Sequence, residues 1–99
     1  MNTLDAFKMF LNKISEQCYD ACTLKVENCG HVTEYYTSIE DFYIQNLCGY
    51  EVLIFSNYEL RHLNTILATK KTYGIEFDKS QIILNSMNGL KFTFDFSSV

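Results

Sequence analysis

Cys18, Cys22, Cys29 and His31 bring three thiols and an imidazole into one short stretch, the donor set that suits tetrahedral zinc. The spacing argues against a metal. Structural zinc sites hold their ligands in paired knuckles, whereas here the second pair is Cys29-x-His31 and the first spans the expected end of a helix. The thiols are therefore expected to be reduced and metal-free, acting as small buried hydrophobes or surface groups. Nucleophilic chemistry needs a Cys or Ser held beside a His that a carboxylate orients. Only His31 and His62 are available: His31 falls in an expected turn, and His62 lies beside Arg61 and three positions from Glu59, a pattern that suits a solvated helix face. A Cys48–His62 pair would be the remaining catalytic arrangement.

Phosphate chemistry finds no cradle. Gly30, Gly49, Gly74 and Gly89 are isolated glycines that read as turns or caps, and the basic pair Lys70-Lys71 lies where it offsets the negative end of an expected helix dipole. The catalytic and metal site residues are accordingly expected to be none, with no cofactor.

The stretch "EYYTSIEDFY", residues 34 to 43, is different in kind. Glu34, Tyr35, Tyr36, Glu40, Asp41 and Tyr43 combine carboxylates with tyrosyl rings, and neither the strand period nor the helix period can bury all of them. Tyrosine supplies contact area at low entropic cost, and carboxylates pair with Arg or Lys on a partner, so these six residues form the candidate partner-binding surface. The competing reading is local: acidic groups stabilising a helix N-terminus and tyrosines at a sheet rim.

The elements expected to carry these residues follow from periodicity. Leu4, Phe7, Leu11, Ile14 and Cys18 mark one face of a helix over roughly 3 to 19, with Thr3 as cap and Asp5 in the first turn. "CTLKVEN" and "HVTEYYT" alternate about Cys29-Gly30 as a hairpin. Ser38 and Asp41 read as a capping-box variant that opens a second, short helix carrying Ile39, Phe42, Tyr43 and Leu47 and ending at Gly49. "YEVLIF" reads as a central strand covered on both faces. Ser56 with Glu59 reads as the capping box of a third helix, whose Leu60, Leu63 and Leu67 stripe runs to Gly74 and covers the sheet, followed by a short strand near "GIEF".

The final hairpin has a predicted register. With Met87-Asn88-Gly89 as a three-residue loop, Leu84 opposes Phe92 and Ile82 opposes Phe94, and Gly89 takes a left-handed conformation. A two-residue Asn88-Gly89 turn would instead set Asn85 against Phe92. The fold class is therefore α+β: a small single domain over 1–99, mostly antiparallel sheet, with helices packed on it.

Composition bounds the function. The 99 residues carry a net charge of −4, which repels phosphate backbones and excludes general nucleic-acid binding. No apolar run approaches the roughly 18 residues that cross a bilayer, and the polar residues within the first helix do not fit a signal peptide, so a cytoplasmic protein with no membrane partner is expected. Eight Asn, eight Ile, seven Lys and no Pro indicate a low-GC genome, as in a phage or its host. This small, acidic, Tyr- and Asn-rich profile without an active-site signature resembles, in type, small phage-encoded inhibitors, anti-CRISPR proteins among them. That resemblance implies binding to a host nucleic-acid enzyme, with carboxylates in a basic cleft meant for phosphates. The expected function is thus a non-enzymatic protein-binding module directed at a basic protein surface. A small thiol-dependent enzyme or Cys/His metal-binding protein is the first alternative, and a structural or homo-oligomerising domain, with a homodimer as one form, is the second.

Overall fold

A computed structural model describes residues 3–16, 21–68 and 81–96. Helix α1 (Thr3–Glu16) is followed by strands β1 (Ala21–Asn28) and β2 (His31–Ser38), a 3₁₀ turn over Ile39–Asp41, and strands β3 (Phe42–Leu47) and β4 (Tyr50–Phe55). A second 3₁₀ segment, Tyr58–Leu63, leads to the two-residue strand β5 (Thr65–Ile66), and β6 (Gln81–Asn85) and β7 (Lys91–Asp95) form the last hairpin. The α+β class with antiparallel sheets is as expected, but the element order is not.

Two sheets face each other. One has the order β2-β1-β7-β6 and the other β3-β4-β5. Alternation along β1, β6 and β7 points Cys22, Leu24, Val26, Ile82, Leu84, Phe92 and Phe94 to one side, where all are buried. Phe42, Ile44, Leu53 and Phe55 project from the second sheet to meet them. The contact is aromatic: Phe42 lies 4.5 Å from Phe94 by ring centroid, and Phe55 lies 6.3 Å from Phe92. Helix α1 bridges both sheets, because Phe7 sets its ring edge-on to Phe42 at 6.0 Å and to Phe94 at 6.3 Å. Each fully buried Phe contributes about 1.5–3 kcal/mol by leaving water, and favourable ring pairs add about 0.5–1.5 kcal/mol. Along one edge the sheets are joined. Leu67 bridges to Ser86, with Ala68 N–H donating to Asn85 O at 2.9 Å and Met87 N–H to Ile66 O at 2.9 Å.

The first and last hairpins have the predicted turns. Cys29 and Gly30, both at positive φ (50° and 82°), form the two-residue connection between Asn28 and its partner His31. Leu84 pairs with Phe92 and Ile82 with Phe94, and Gly89 has a φ of 89°. The loop is held from within: the Ser86 hydroxyl donates to Asn88 Oδ1 and accepts from Leu90 N–H at 2.9 Å.

Three expectations are corrected. The second helix is a single 3₁₀ turn followed by strand β3, which pairs along its whole length with β4 around the Cys48-Gly49 turn (φ 51° and 86°). Helical spacing of Ile39, Phe42, Tyr43 and Leu47 lost to a ladder of backbone bonds that continues past the strands, where Ser56 N–H donates to Asp41 O at 2.8 Å. The third helix is a 3₁₀ segment that ends at Leu63, and its cap is Asn57, whose Oδ1 accepts from Glu59 N–H at 3.0 Å, in place of Ser56. Asn64 stops it: its Oδ1 accepts from Phe55 N–H at 2.7 Å, tying the chain to the end of β4 so that Thr65–Ile66 can add a strand. Leu60, Leu63 and Leu67 are nonetheless buried. Strand β4 is central, as expected, but only its Leu53 and Phe55 face is sealed, while Val52 and Ile54 on the other face are half-buried. Helix α1 agrees over 3–16, and the "GIEF" strand and the stretch toward Gly74 lie outside the described residues.

Candidate functional site: a corner and a sheet face

The residues expected to bind a partner sit where β2 turns into β3. Along β2, Leu24 opposes Tyr35 and Cys22 opposes Thr37, so Tyr35 and Thr37 face inward with the β1 core residues. Tyr35 is half-buried against the core, its ring edge-on to His62 at 6.2 Å. Val32, Glu34 and Tyr36 share the opposite, outward face, where Tyr36 is 67% exposed. One tyrosine of the pair is therefore displayed and the other packs. Glu34 reaches Lys25 across the ladder at 3.9 Å, an exposed pair worth no more than about 1 kcal/mol.

At the corner Ser38 turns the chain, its hydroxyl accepting from Glu40 N–H at 3.4 Å. Glu40 is exposed and Asp41 half-buried. Tyr43 is exposed, but on the outer face of the second sheet. The six predicted residues thus divide: Glu34 and Tyr36 lie on the outer face of the first sheet, Glu40 is exposed in the turn itself, Tyr43 lies at the surface of the second sheet, and Tyr35 and Asp41 are partly withdrawn.

Beyond Tyr43 is a surface that helical spacing concealed. Register places Tyr43 beside Ile54, Gln45 beside Val52, Val52 beside Ile66, and Leu47 beside Tyr50, all on the outer face of β3-β4-β5. Met87 adjoins it, through the bond from its N–H to Ile66 O. Tyr43, Leu47, Tyr50, Ile66 and Met87 are 39% to 65% exposed, and among the described residues no charged side chain projects from this face. A signal for it was present in the sequence. Cys48-Gly49 repeats the Cys29-Gly30 dipeptide, and reading it as a second hairpin turn would have put Tyr43, Leu47 and Tyr50 on one side of a sheet.

The sulfur and imidazole groups are spread out. Cys22 and Cys29 lie at opposite ends of β1, roughly 23 Å apart along an extended strand, with His31 next to the Cys29 end. Cys18 lies outside the described residues. Burial, and secondarily the carboxylate of Asp95, push the Cys22 thiol up to about 12, which leaves it protonated and unreactive at neutral pH. Cys29 and Cys48 are exposed at the hairpin turns. Cys48 precedes β4 and His62 follows it, so a six-residue strand, roughly 17–20 Å, separates that candidate pair. Among the described residues no group of three or more His, Cys, Asp or Glu side chains is placed to hold a metal ion, and no helix is long and apolar enough to cross a membrane.

The chain is thus a small α+β domain with mostly antiparallel sheets, whose two outer sheet faces differ in character. Comparison with family models, curated proteins and solved structures finds no match to the chain.

Proposed function

We propose that the protein is a non-enzymatic binding module, an inhibitor or adaptor, whose β2–β3 corner engages a basic protein surface of the kind a nucleic-acid enzyme presents to phosphates. The observation that carries this reading is the display of Glu34, Tyr36 and Glu40 around one turn of chain, with Tyr43 just beyond. Carboxylates steer a cationic partner and fix its register, while the tyrosyl ring supplies contact area that loses little entropy on binding. The chain's net charge of −4 adds a long-range attraction of the same sign. Chemistry is less well supported, because among the described residues Cys22, Cys29 and Cys48 lie at different ends of the strands.

Capture of the partner from host lysate, identified by mass spectrometry, supplies the reagent for the test. The variant Glu34→Lys/Glu40→Lys is expected to keep its melting temperature within about 4 °C of the parent, since exposed substitutions rarely change stability by more than about 0.5 kcal/mol. Its affinity for the captured partner is expected to fall at least tenfold, with a shallower salt dependence. Unchanged affinity in the folded variant removes the corner from the interface. A homo-oligomeric role is favoured by a separate observation, the uncharged face of the second sheet.

A further inference from the structure

We infer that the outer face of β3-β4-β5 is a homodimer interface, packed face to face against the same face of a second copy of this chain. The face is apolar in an unusual way for an exposed sheet. Tyr43, Leu47, Tyr50, Val52, Ile54 and Ile66 occupy every position but one of the three strands' outward sites, the exception being Gln45, and Met87 extends the patch at the β5 side. Scattered exposed apolar residues need no explanation, but a contiguous patch of this kind marks an interaction surface.

Area and charge select the second copy as occupant. The five most exposed side chains, each about half accessible, present on the order of 500 Å² per copy, given about 200 Å² for a large side chain. With the half-buried Val52 and Ile54 and the Gln45 rim, two copies together reach roughly 1,200 Å², the lower bound of a specific interface. A chain of net charge −4 repels itself wherever its carboxylates meet. The outer face of the other sheet carries Lys25, Glu27, Glu34, Lys91 and Asp95, and the corner carries Glu40, so burying those surfaces against a second copy would take charges out of water. Among the described residues the β3-β4-β5 face carries no charge, so copies can approach there without like-charge contact between its strands. A partner selected by charge would find nothing on this face to pair with.

The geometry is suited to a two-fold contact. Two twisted sheets pack with side chains interdigitating about 10 Å apart, as the inner faces of these two sheets already do. Val52 lies at the middle of the face, flanked by Gln45 and Ile66, so a two-fold axis in the interface plane sets it against its own counterpart. The corner residues Glu34, Tyr36 and Glu40 stay outside this contact, and the dimer presents two copies of them.

Sedimentation velocity over a range from low micromolar to several hundred micromolar tests the inference on the full chain. The expected result is a concentration-dependent shift from one 11.5 kDa chain toward twice that mass. Leu47→Lys is expected to raise the dissociation constant at least tenfold, and Val32→Lys, on the outer face of the other sheet, to leave it within twofold. Should Leu47→Lys fail to fold, dilution of the unaltered protein followed by amide NMR gives the same information: signals of Tyr43, Tyr50, Val52, Ile54 and Ile66 should shift, and those of Val32, Glu34 and Tyr36 should not. A single-chain mass throughout the range overturns the inference. So does a dimer that survives Leu47→Lys or whose shifts map to β2.

Discussion

The two sheets are alike on their inner faces and opposite on their outer ones. Inside, both offer Phe, Leu and Ile to a shared core, and ring contacts between Phe42 and Phe94 and between Phe55 and Phe92 join them. Outside, the four-stranded sheet sets Lys25, Glu27, Glu34, Lys91 and Asp95 among hydroxyl and amide residues and the apolar Val32 and Ile83, the ordinary mixed, solvated face of an antiparallel sheet. The three-stranded sheet displays Tyr43, Leu47, Tyr50 and Ile66 instead. Folding requires only the inner faces. The apolar side chains of the second outer face therefore exceed what the core of a single chain uses.

If the inner faces are equivalent, removing a ring from either sheet should cost the same. Phe94→Ala and Phe55→Ala are each expected to lose about 3–5 kcal/mol in urea denaturation, since both side chains are at most 1% exposed and lie in one aromatic cluster. A loss below about 1 kcal/mol for either would separate the sheets energetically and break the comparison.

Cys22 probes the inner face of the four-stranded sheet through pH. Its folded-state pKa is raised from 9.0 to about 12, so the folded state holds the thiol proton more tightly than the unfolded state does. The corresponding stability is fully present below pH 9 and is lost as pH rises from 9 toward 12, by up to about 1.4 kcal/mol per pH unit. Measured as the difference between parent and Cys22→Ala, this slope should appear only above pH 9. A flat difference would mean that the thiol reaches solvent.

The turns give a smaller, symmetrical test. Gly49→Ala in the three-stranded sheet and Gly89→Ala in the four-stranded sheet each place a Cβ at positive φ, and each should cost roughly 1 kcal/mol by thermal or urea unfolding. Conversely, Cys29→Asn and Cys48→Asn should gain a few tenths of a kcal/mol, because asparagine tolerates the left-handed region better. The smallest effect is expected on the charged outer face, where Lys25→Ala should change stability by less than about 0.5 kcal/mol, the exposed pair with Glu34 being screened by water.

The same contrast between outer faces decided what was legible in the sequence. Strands whose outer side is polar announced themselves: Lys91, Thr93 and Asp95 alternate with Phe92, Phe94 and Phe96, and with Gly89 this was enough to predict the register of the last hairpin. Strand β3 has apolar residues on both sides, so "FYIQNL" shows no clean period of two, and its residues satisfy a helical spacing equally well. The feature that hid the strand is the feature that makes the face. In the third segment, spacing at 60 and 63 is shared by α and 3₁₀ geometry, and what chose between them was the bond from Phe55 N–H to Asn64 Oδ1, a contact made only once β4 is in place. The corner residues were singled out by their composition and by periods that could not bury all of them, but their division between two outer faces depended on the β2–β3 connection being a single 3₁₀ turn.

On the two proposals above, the exteriors do different work, the corner with its carboxylates meeting a foreign basic surface and the uncharged face meeting its own copy. Amide hydrogen exchange read by mass spectrometry tests both parts in one experiment, on the protein diluted, concentrated, and mixed with the captured partner. Two separate footprints are expected: concentrating the protein slows exchange in residues 43–54, and adding the partner slows it in residues 34–41. One footprint shared by both conditions, or protection by the partner over residues 43–54 alone, would contradict that expectation.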